Sequence, residues 1–196
     1  MNEILQVRPA AADDLPVILE MINEAARWLR TKDTDQWAQT WPSEEARDAR
    51  VRRRLLSGNT WMVEENGSPV ATVTYRQHGN QTLWTRDEQS QPAVYVSRLV
   101  VVRRAAGRGI GAALIDWAGQ GGVRDWNAQW IRIDVWTANV ALHNYFEKRG
   151  FRHCRTCPFG PETYPSAALF QKPAAEADEA AASRFAEVSV RRQAWR

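Results

Sequence analysis

The chain predicts a single α/β domain on a mixed sheet, and three observations carry that expectation. Two runs of strand-like residues within 60–75 are separated by Asn66-Gly67, the residue pair of a tight hairpin turn. An apolar run, Ala93–Val102, passes through Gly107, Gly109 and Gly111 straight into helical spacing. A further strand, Trp130–Trp136, and a short helical stretch up to Gly150 complete a strand–helix–strand–helix order, which implies a parallel pair. Both kinds of pairing in one chain make a mixed sheet.

The remaining elements follow in chain order. Glu3–Pro9 alternates as a strand and stops at its proline. Ala12–Asp14 supplies capping oxygens ahead of Leu15, Ile18, Leu19, Ile22, Ala26 and Leu29, which repeat at helical spacing. Ser43, Glu44 and Glu45 begin a second helix whose later turns carry Arg47, Arg50, Arg52, Arg53 and Arg54, a polarity that matches the helix dipole. Gly58-Asn59 ends it, His78–Gln91 is polar and loop-like, and the helix after the glycines runs from about Gly109 to Val123. Phe151–Cys154 and Ala167–Gln171 supply the last two strands around a turn from Pro158 to Pro165. Residues 1–172 thus form the domain, and 173–196 an Ala/Glu-rich to Arg-rich tail that is helical from Ala175 to Val188 or frays.

Composition bounds the function. At 196 residues, 44% hydrophobic and 25% charged, the chain suits one soluble domain, as a monomer or homodimer. No apolar run nears membrane-spanning length and Met1–Gln6 lacks signal-peptide character, so the expected setting is cytoplasmic with no membrane partner. Only Lys32, Lys148 and Lys172 among the 26 basic residues are lysine, and the arginine excess fits a phosphate-rich ligand or simply a solvated surface. The two cysteines, Cys154 and Cys157, and the histidines His78, His143 and His153 have no metal-ligand spacing, so no metal is expected.

The glycine loop is the chemical signal. Glycines let the main chain approach an anion, and the first turn of the following helix leaves backbone N–H groups free for phosphate oxygens. A P-loop would need Lys followed by Ser or Thr where this chain has Ala112-Ala113, and a dinucleotide fold would need an acidic residue ending a second strand; Asp125 precedes that strand instead. A ligand-free glycine turn is the plain alternative.

Leu99-x-Val101, Ala106-Gly107-Arg108-Gly109-Ile110-Gly111, Asn139, and an aromatic three residues before Arg149-Gly150-Phe151 together resemble the GNAT superfamily of acyl-coenzyme A-dependent N-acyltransferases. The resemblance spans Arg8 to about Lys172. It implies a splayed sheet of about six to seven strands with about four helices, and direct transfer of an acyl group, usually acetyl, from acyl-coenzyme A to a small-molecule amine. Pantetheine would pair with the main chain of Leu99, Val100 and Val101, and Val101 N–H would polarise the thioester carbonyl. Ala106, Gly107, Arg108, Gly109, Ile110, Gly111 and Ala112 would hold the pyrophosphate, with Asn139 and Phe146 also at the coenzyme. An acyl-transfer-RNA donor and a non-catalytic coenzyme A sensor are the alternatives it leaves.

The chain departs from the family pattern twice. Ala106 stands where Gln or Arg is usual, unless the motif starts two residues earlier at Arg104. Phe146 occupies the place of the tyrosine that protonates the departing thiolate, and phenylalanine has no proton to give. Tyr145 is the candidate acid beside it, yet ideal helical geometry turns it about 100° from the face of Asn139, Leu142 and Phe146, so a small effect of Tyr145→Phe is expected. Tyr95, His143, Asp134 or a water chain remain as general base. Trp28, Trp37 and Trp41 with Asp33 and Asp35 would overhang the thioester and suit a cationic amine.

Overall fold

The computed structural model describes residues 4–38, 42–158 and 165–188. Strands β2 (Thr60–Glu65) and β3 (Ser68–Arg76) fold back on each other because Asn66 and Gly67 both take positive φ, 51° and 76°, the pair of values a tight hairpin needs. β1 (Leu5–Pro9) pairs antiparallel with β2, and β4 (Ala93–Val101) antiparallel with β3. β5 (Trp130–Val135) lies parallel to β4, as the intervening helix requires, and β7 (Ala168–Pro173) and β6 (Arg152–Thr156) extend that side antiparallel. Among the described residues, with β8 (Phe185–Glu187) as the last strand, the sheet has eight strands in the order β6-β7-β5-β4-β3-β2-β1-β8.

The eighth strand was not expected. Within the 175–188 stretch, a helix or a frayed tail gives way to a short helix and β8 (Phe185–Glu187), which pairs parallel with β1. Leu5 N–H donates to Arg184 O at 2.8 Å and Val188 N–H to Val7 O at 2.8 Å, so the open edge of β1 offers backbone partners that an isolated short helix lacks. Phe185 is 7% exposed and packs edge-on against Trp117. The rest of the tail, 189–196, lies outside the described residues, as do Trp41 and most of the Pro158–Pro165 turn.

Two longer helices, α1 (Leu15–Leu29) and α2 (Glu44–Leu56), precede the hairpin, α2 capped by Ser43, whose side chain accepts from Ala46 N–H at 3.2 Å. The polar stretch expected as loop holds α3 (Arg86–Ser90), fixed by the reciprocal Thr85–Glu88 capping box. Helix α4 (Ile110–Trp126) buries Ile110, Ala113, Leu114, Ile115, Trp117 and Ala118 in the main core. It lies close on the sheet because a Cβ on Gly122 would come within 2.6 Å of Val94 Cβ. Helix α5 (Val140–Glu147) ends at Gly150, whose φ of 81° turns the chain into β6, and α6 (Glu179–Ala182) leads to β8.

Candidate functional site

The sheet forks. β4 and β5 are paired only from Ala93 to Val96 and from Trp130 to Ile133. Beyond that point β4 continues to Val101 on β3, while β5 continues to Val135 on β7, so the two part company and leave a gap. The register shift opposite Thr72–Thr74 places Arg98 at φ 47°, a left-handed conformation that bends β4 out of line. Val102 N–H donates to Val70 O at 3.0 Å; by the two-residue period of a strand, the Val101 N–H points the other way, into the fork.

At the mouth of the fork the chain makes a 3₁₀ turn, Arg103–Ala105, and then the glycine loop, where Gly107 and Gly109 take φ 81° and 75°. The Arg108 guanidinium is tied to the Glu65 carboxylate, and Arg184 Nη1 donates to Arg108 O at 3.1 Å, which fixes the loop from both sides. Gly109 is the N-cap of α4 and supplies no side-chain oxygen, in contrast to Ser43 on α2 and Asn139 on α5. The N–H groups of Ile110, Gly111 and Ala112 therefore open the helix without a capping side chain, at the positive end of its dipole.

A cavity of about 800 Å³ fills the fork. Leu99, Val101, Gly111, Ile115, Leu142, Tyr145 and Phe146 form part of its wall. A Cβ built on Gly111 would lie 3.7 Å from the Tyr145 hydroxyl, 3.6 Å from Val101 Cγ2 and 3.7 Å from Leu99 Cδ2, so these side chains meet over the first turn of α4.

This corrects the expected orientation of α5. Tyr145 does not project away; its hydroxyl faces the fork, while the Phe146 ring is anchored at 5.5 Å from Phe151 and 6.4 Å from Phe170 in the core. The physical reason is that α5 spans a wedge between cavity and sheet, so two adjacent positions both reach the wall. The Arg149 guanidinium lies 3.5 Å above the Tyr145 ring, and burial pushes the phenol above its ordinary pKa. Tyr145 thus stays protonated through the neutral range.

Of the three side chains expected as base, Asp134 alone lines the cavity. Tyr95 is 3% exposed and its hydroxyl accepts from Arg132 Nη1 at 3.0 Å. The His143 Nε2 is 2.9 Å from Trp136 O. Asp134 sits one residue past the last β4–β5 pair, and burial raises its carboxyl pKa against the opposing pull of Arg76, Arg98 and Arg54.

Asn139 takes a different part from the expected one. Its Oδ1 accepts from Leu142 N–H at 2.9 Å and its Nδ2 donates to Gln36 Oε1 at 2.6 Å, so both ends are spent capping α5 and anchoring the loop before α2. Val100, 3% exposed, turns its side chain into the core. The loop positions Ala106–Ile110 and Ala112 lie at the mouth and do not line the large cavity; Gly109 and Ala112 border a second, smaller one of about 300 Å³.

The overhanging loop also departs from expectation. Trp37 lines the cavity, but Trp28 stacks on Arg103 at 4.0 Å and Asp35 accepts from Trp136 Nε1 at 2.7 Å. In place of a ring of carboxylates, the wall carries Arg50, Arg54, Arg76 and Arg98 around Asp134. Sequence reasoning missed these four because they come from a helix and two strands.

Cys154 and Cys157 are free thiols, and their sulfurs contact backbone carbonyls of Arg152 and Leu83 at 3.8 and 3.7 Å. Among the described residues no group of three or more His, Cys, Asp or Glu is placed to hold a metal. The double variant Cys154→Ser, Cys157→Ser is expected to keep full activity and gain or lose no bound metal, checked by turnover and elemental analysis.

Among the described residues no helix is long and apolar enough to cross a membrane. Residues 22–151 match the model of the acetyltransferase (GNAT) family. The uncharacterized N-acetyltransferase YesJ of Bacillus subtilis (strain 168) is 27% identical over 146 residues, 73% of this chain and 79% of the relative. A GNAT-family acetyltransferase from Listeria monocytogenes 4b F2365 superposes with a TM-score of 0.68 at 22% identity, covering 86% of this chain and 94% of that one. The PaiA N-acetyltransferase of Thermoplasma acidophilum, solved in complex with coenzyme A, superposes with a TM-score of 0.62 at 14% identity, over 86% and 98%. The overall fold therefore has counterparts among solved structures, and this chain belongs to the acetyltransferase (GNAT) family.

Proposed function

We propose that the protein transfers an acyl group, acetyl in the first instance, directly from acyl-coenzyme A to the amine of a small molecule. The observation that carries this is the fork itself, with the Val101 N–H aimed into it and an uncapped α4 opening at its mouth. Leu99 and Val101 offer pantetheine the main-chain partners of a missing strand, while the Val100 main chain is turned to β3, and the loop Ala106–Ala112 receives the pyrophosphate. The thioester then sits beside the Val101 N–H, which stabilises the oxyanion as the carbonyl becomes tetrahedral.

Asp134 takes the proton that the attacking ammonium must lose. The amine nitrogen bonds to the carbonyl carbon, the C–S bond breaks and the thiolate takes a proton from Tyr145; the second nitrogen proton restores Tyr145 through solvent and Asp134 releases its proton to solvent, giving an amide and coenzyme A. A phenol held protonated by burial and a carboxylate held in the same cavity divide the acid and base roles. Both partners bind together, and the setting is cytoplasmic, where acyl-coenzyme A is at hand.

Tyr145→Phe tests the acid. It is expected to lower turnover about a hundredfold while leaving coenzyme A affinity intact by calorimetry and the fold intact by circular dichroism. Unchanged turnover would return the thiolate to unassisted departure. Turnover of any acyl-coenzyme A by the wild-type protein excludes a sensor role, and loss of donor binding with rising salt together with inertness toward acyl-coenzyme A would instead favour a transfer-RNA donor.

A further inference from the structure

Among the described residues, Arg50, Arg54, Arg76 and Arg98 line the same cavity as Asp134. Arg50 and Arg54 come from one face of α2, Arg76 from the end of β3, and Arg98 from the bulge that opens the fork. Arg98 lines the cavity with its backbone at φ 47°, a conformation that costs energy in any residue with a side chain. Arg76 Nε is buried and, among the described residues, finds no hydrogen-bond partner. An orphaned guanidinium N–H in a protein wall is a costly thing to keep.

The surroundings make that cost larger. Burial and the like charges of Arg54 and Arg98 push Arg76 down to about 10, while Asp134 and, more weakly, Tyr95 pull the other way. The planar fork of arginine matches carboxylate and phosphate oxygens two at a time, with charge-assisted bonds.

We propose that Arg76 and Arg54 form the anion-binding half of the acceptor site, so that the substrate is a small amine that also carries a carboxylate or phosphate group. The anion docks on the guanidinium groups of Arg76 and Arg54, and the amine lies toward Asp134 and the thioester. Trp37, Trp136 and Leu142 offer apolar wall to the remainder of the molecule. This rests on the acyl-transfer reading of the same cavity and replaces the cationic-amine acceptor that the sequence suggests.

The test uses the full-length protein saturated with coenzyme A or acetyl-coenzyme A. A panel of L-amino acids and aminoalkyl phosphates is compared with the matching carboxamides and amino alcohols, which keep the amine and lose the anion. Calorimetry on the coenzyme A complex reads binding without turnover, and thiol release from acetyl-coenzyme A reads transfer. The anionic members are expected to bind and react at least tenfold better than their neutral partners. Within them, preference for carboxylates or for phosphates identifies the source of the anion.

Arg76→Gln is expected to raise KM for the best anionic acceptor roughly ten- to a hundredfold, the cost of one charge-assisted hydrogen bond, with a smaller change in kcat. Arg76→Lys restores part of the loss, and Arg54→Gln, on the partly exposed face of α2, gives the same direction should Arg76→Gln fold poorly. Coenzyme A affinity stays constant in all three. Equal or better binding of the neutral partners, or an unchanged KM in both glutamine variants, overturns the proposal. Anionic amines that bind through Arg76 yet are never acylated would sink the transferase reading and leave the anion site standing.

Discussion

Gly109→Val is expected to abolish coenzyme A binding. Gly109 sits at φ 75°, where a β-branched residue is strained whatever space surrounds it. Space is in fact available, since among the described residues the one atom within 4 Å of a built Cβ is Arg184 Nη1 at 3.6 Å. The strain therefore falls on the backbone, and relieving it swings the loop away from the N–H groups of Ile110, Gly111 and Ala112. Those donors bind an anion only while they converge on it. Calorimetry with coenzyme A should show no measurable heat for the variant, with the α4 core intact by circular dichroism. Affinity equal to wild type would remove the loop from the site.

Asp134→Asn is expected to cut kcat/KM about a hundredfold or more, within the usual range for loss of a general base, while donor affinity holds. The side chain keeps its size, so packing at the fork is preserved and the change is one of proton affinity. The pH profile gives an independent reading. Asp134 acts only as carboxylate, and its pKa in the folded protein is raised above the ordinary 3.8 by burial, despite Arg76, Arg98 and Arg54. Wild-type kcat/KM should therefore fall as pH drops through a value above the ordinary carboxylate range. The asparagine variant should lack that limb, and an unchanged acid limb would assign it to another group.

What was legible in the sequence is what local chemistry dictates. Asn66-Gly67 can hardly be other than a hairpin, and the alternating glycines before α4 carry their own conformational demand, met at Gly107 and Gly109. Ser43 announced the start of α2 for the same reason. The fork follows from a pairing that stops, Val96 with Ile133, and no single strand sequence encodes where its neighbour leaves. Only the family resemblance supplied it.

The harder parts of the site are assembled from distance. Arg54, Arg76, Arg98 and Asp134 lie on α2, β3, β4 and β5, and only the folded sheet brings them together. Arg50 and Arg54 looked like dipole-matched surface charges, a reading that holds for Arg52 and Arg53, which are exposed. Tyr145 was misplaced because an ideal helical wheel says nothing about how deep the helix sits between cavity and core. Residues 185–187 were misjudged because a tertiary partner, the edge of β1, outweighs weak local helix propensity.

The central claim is that the fork between β4 and β5 is the slot for acyl-coenzyme A. Residue-resolved amide hydrogen exchange, with and without saturating coenzyme A, tests it most directly, because bound ligand slows exchange where it accepts backbone hydrogen bonds. Protection is predicted at the Val101 amide in the fork and at Ile110, Gly111 and Ala112 at its mouth. Binding that leaves these amides unchanged and protects others would contradict it.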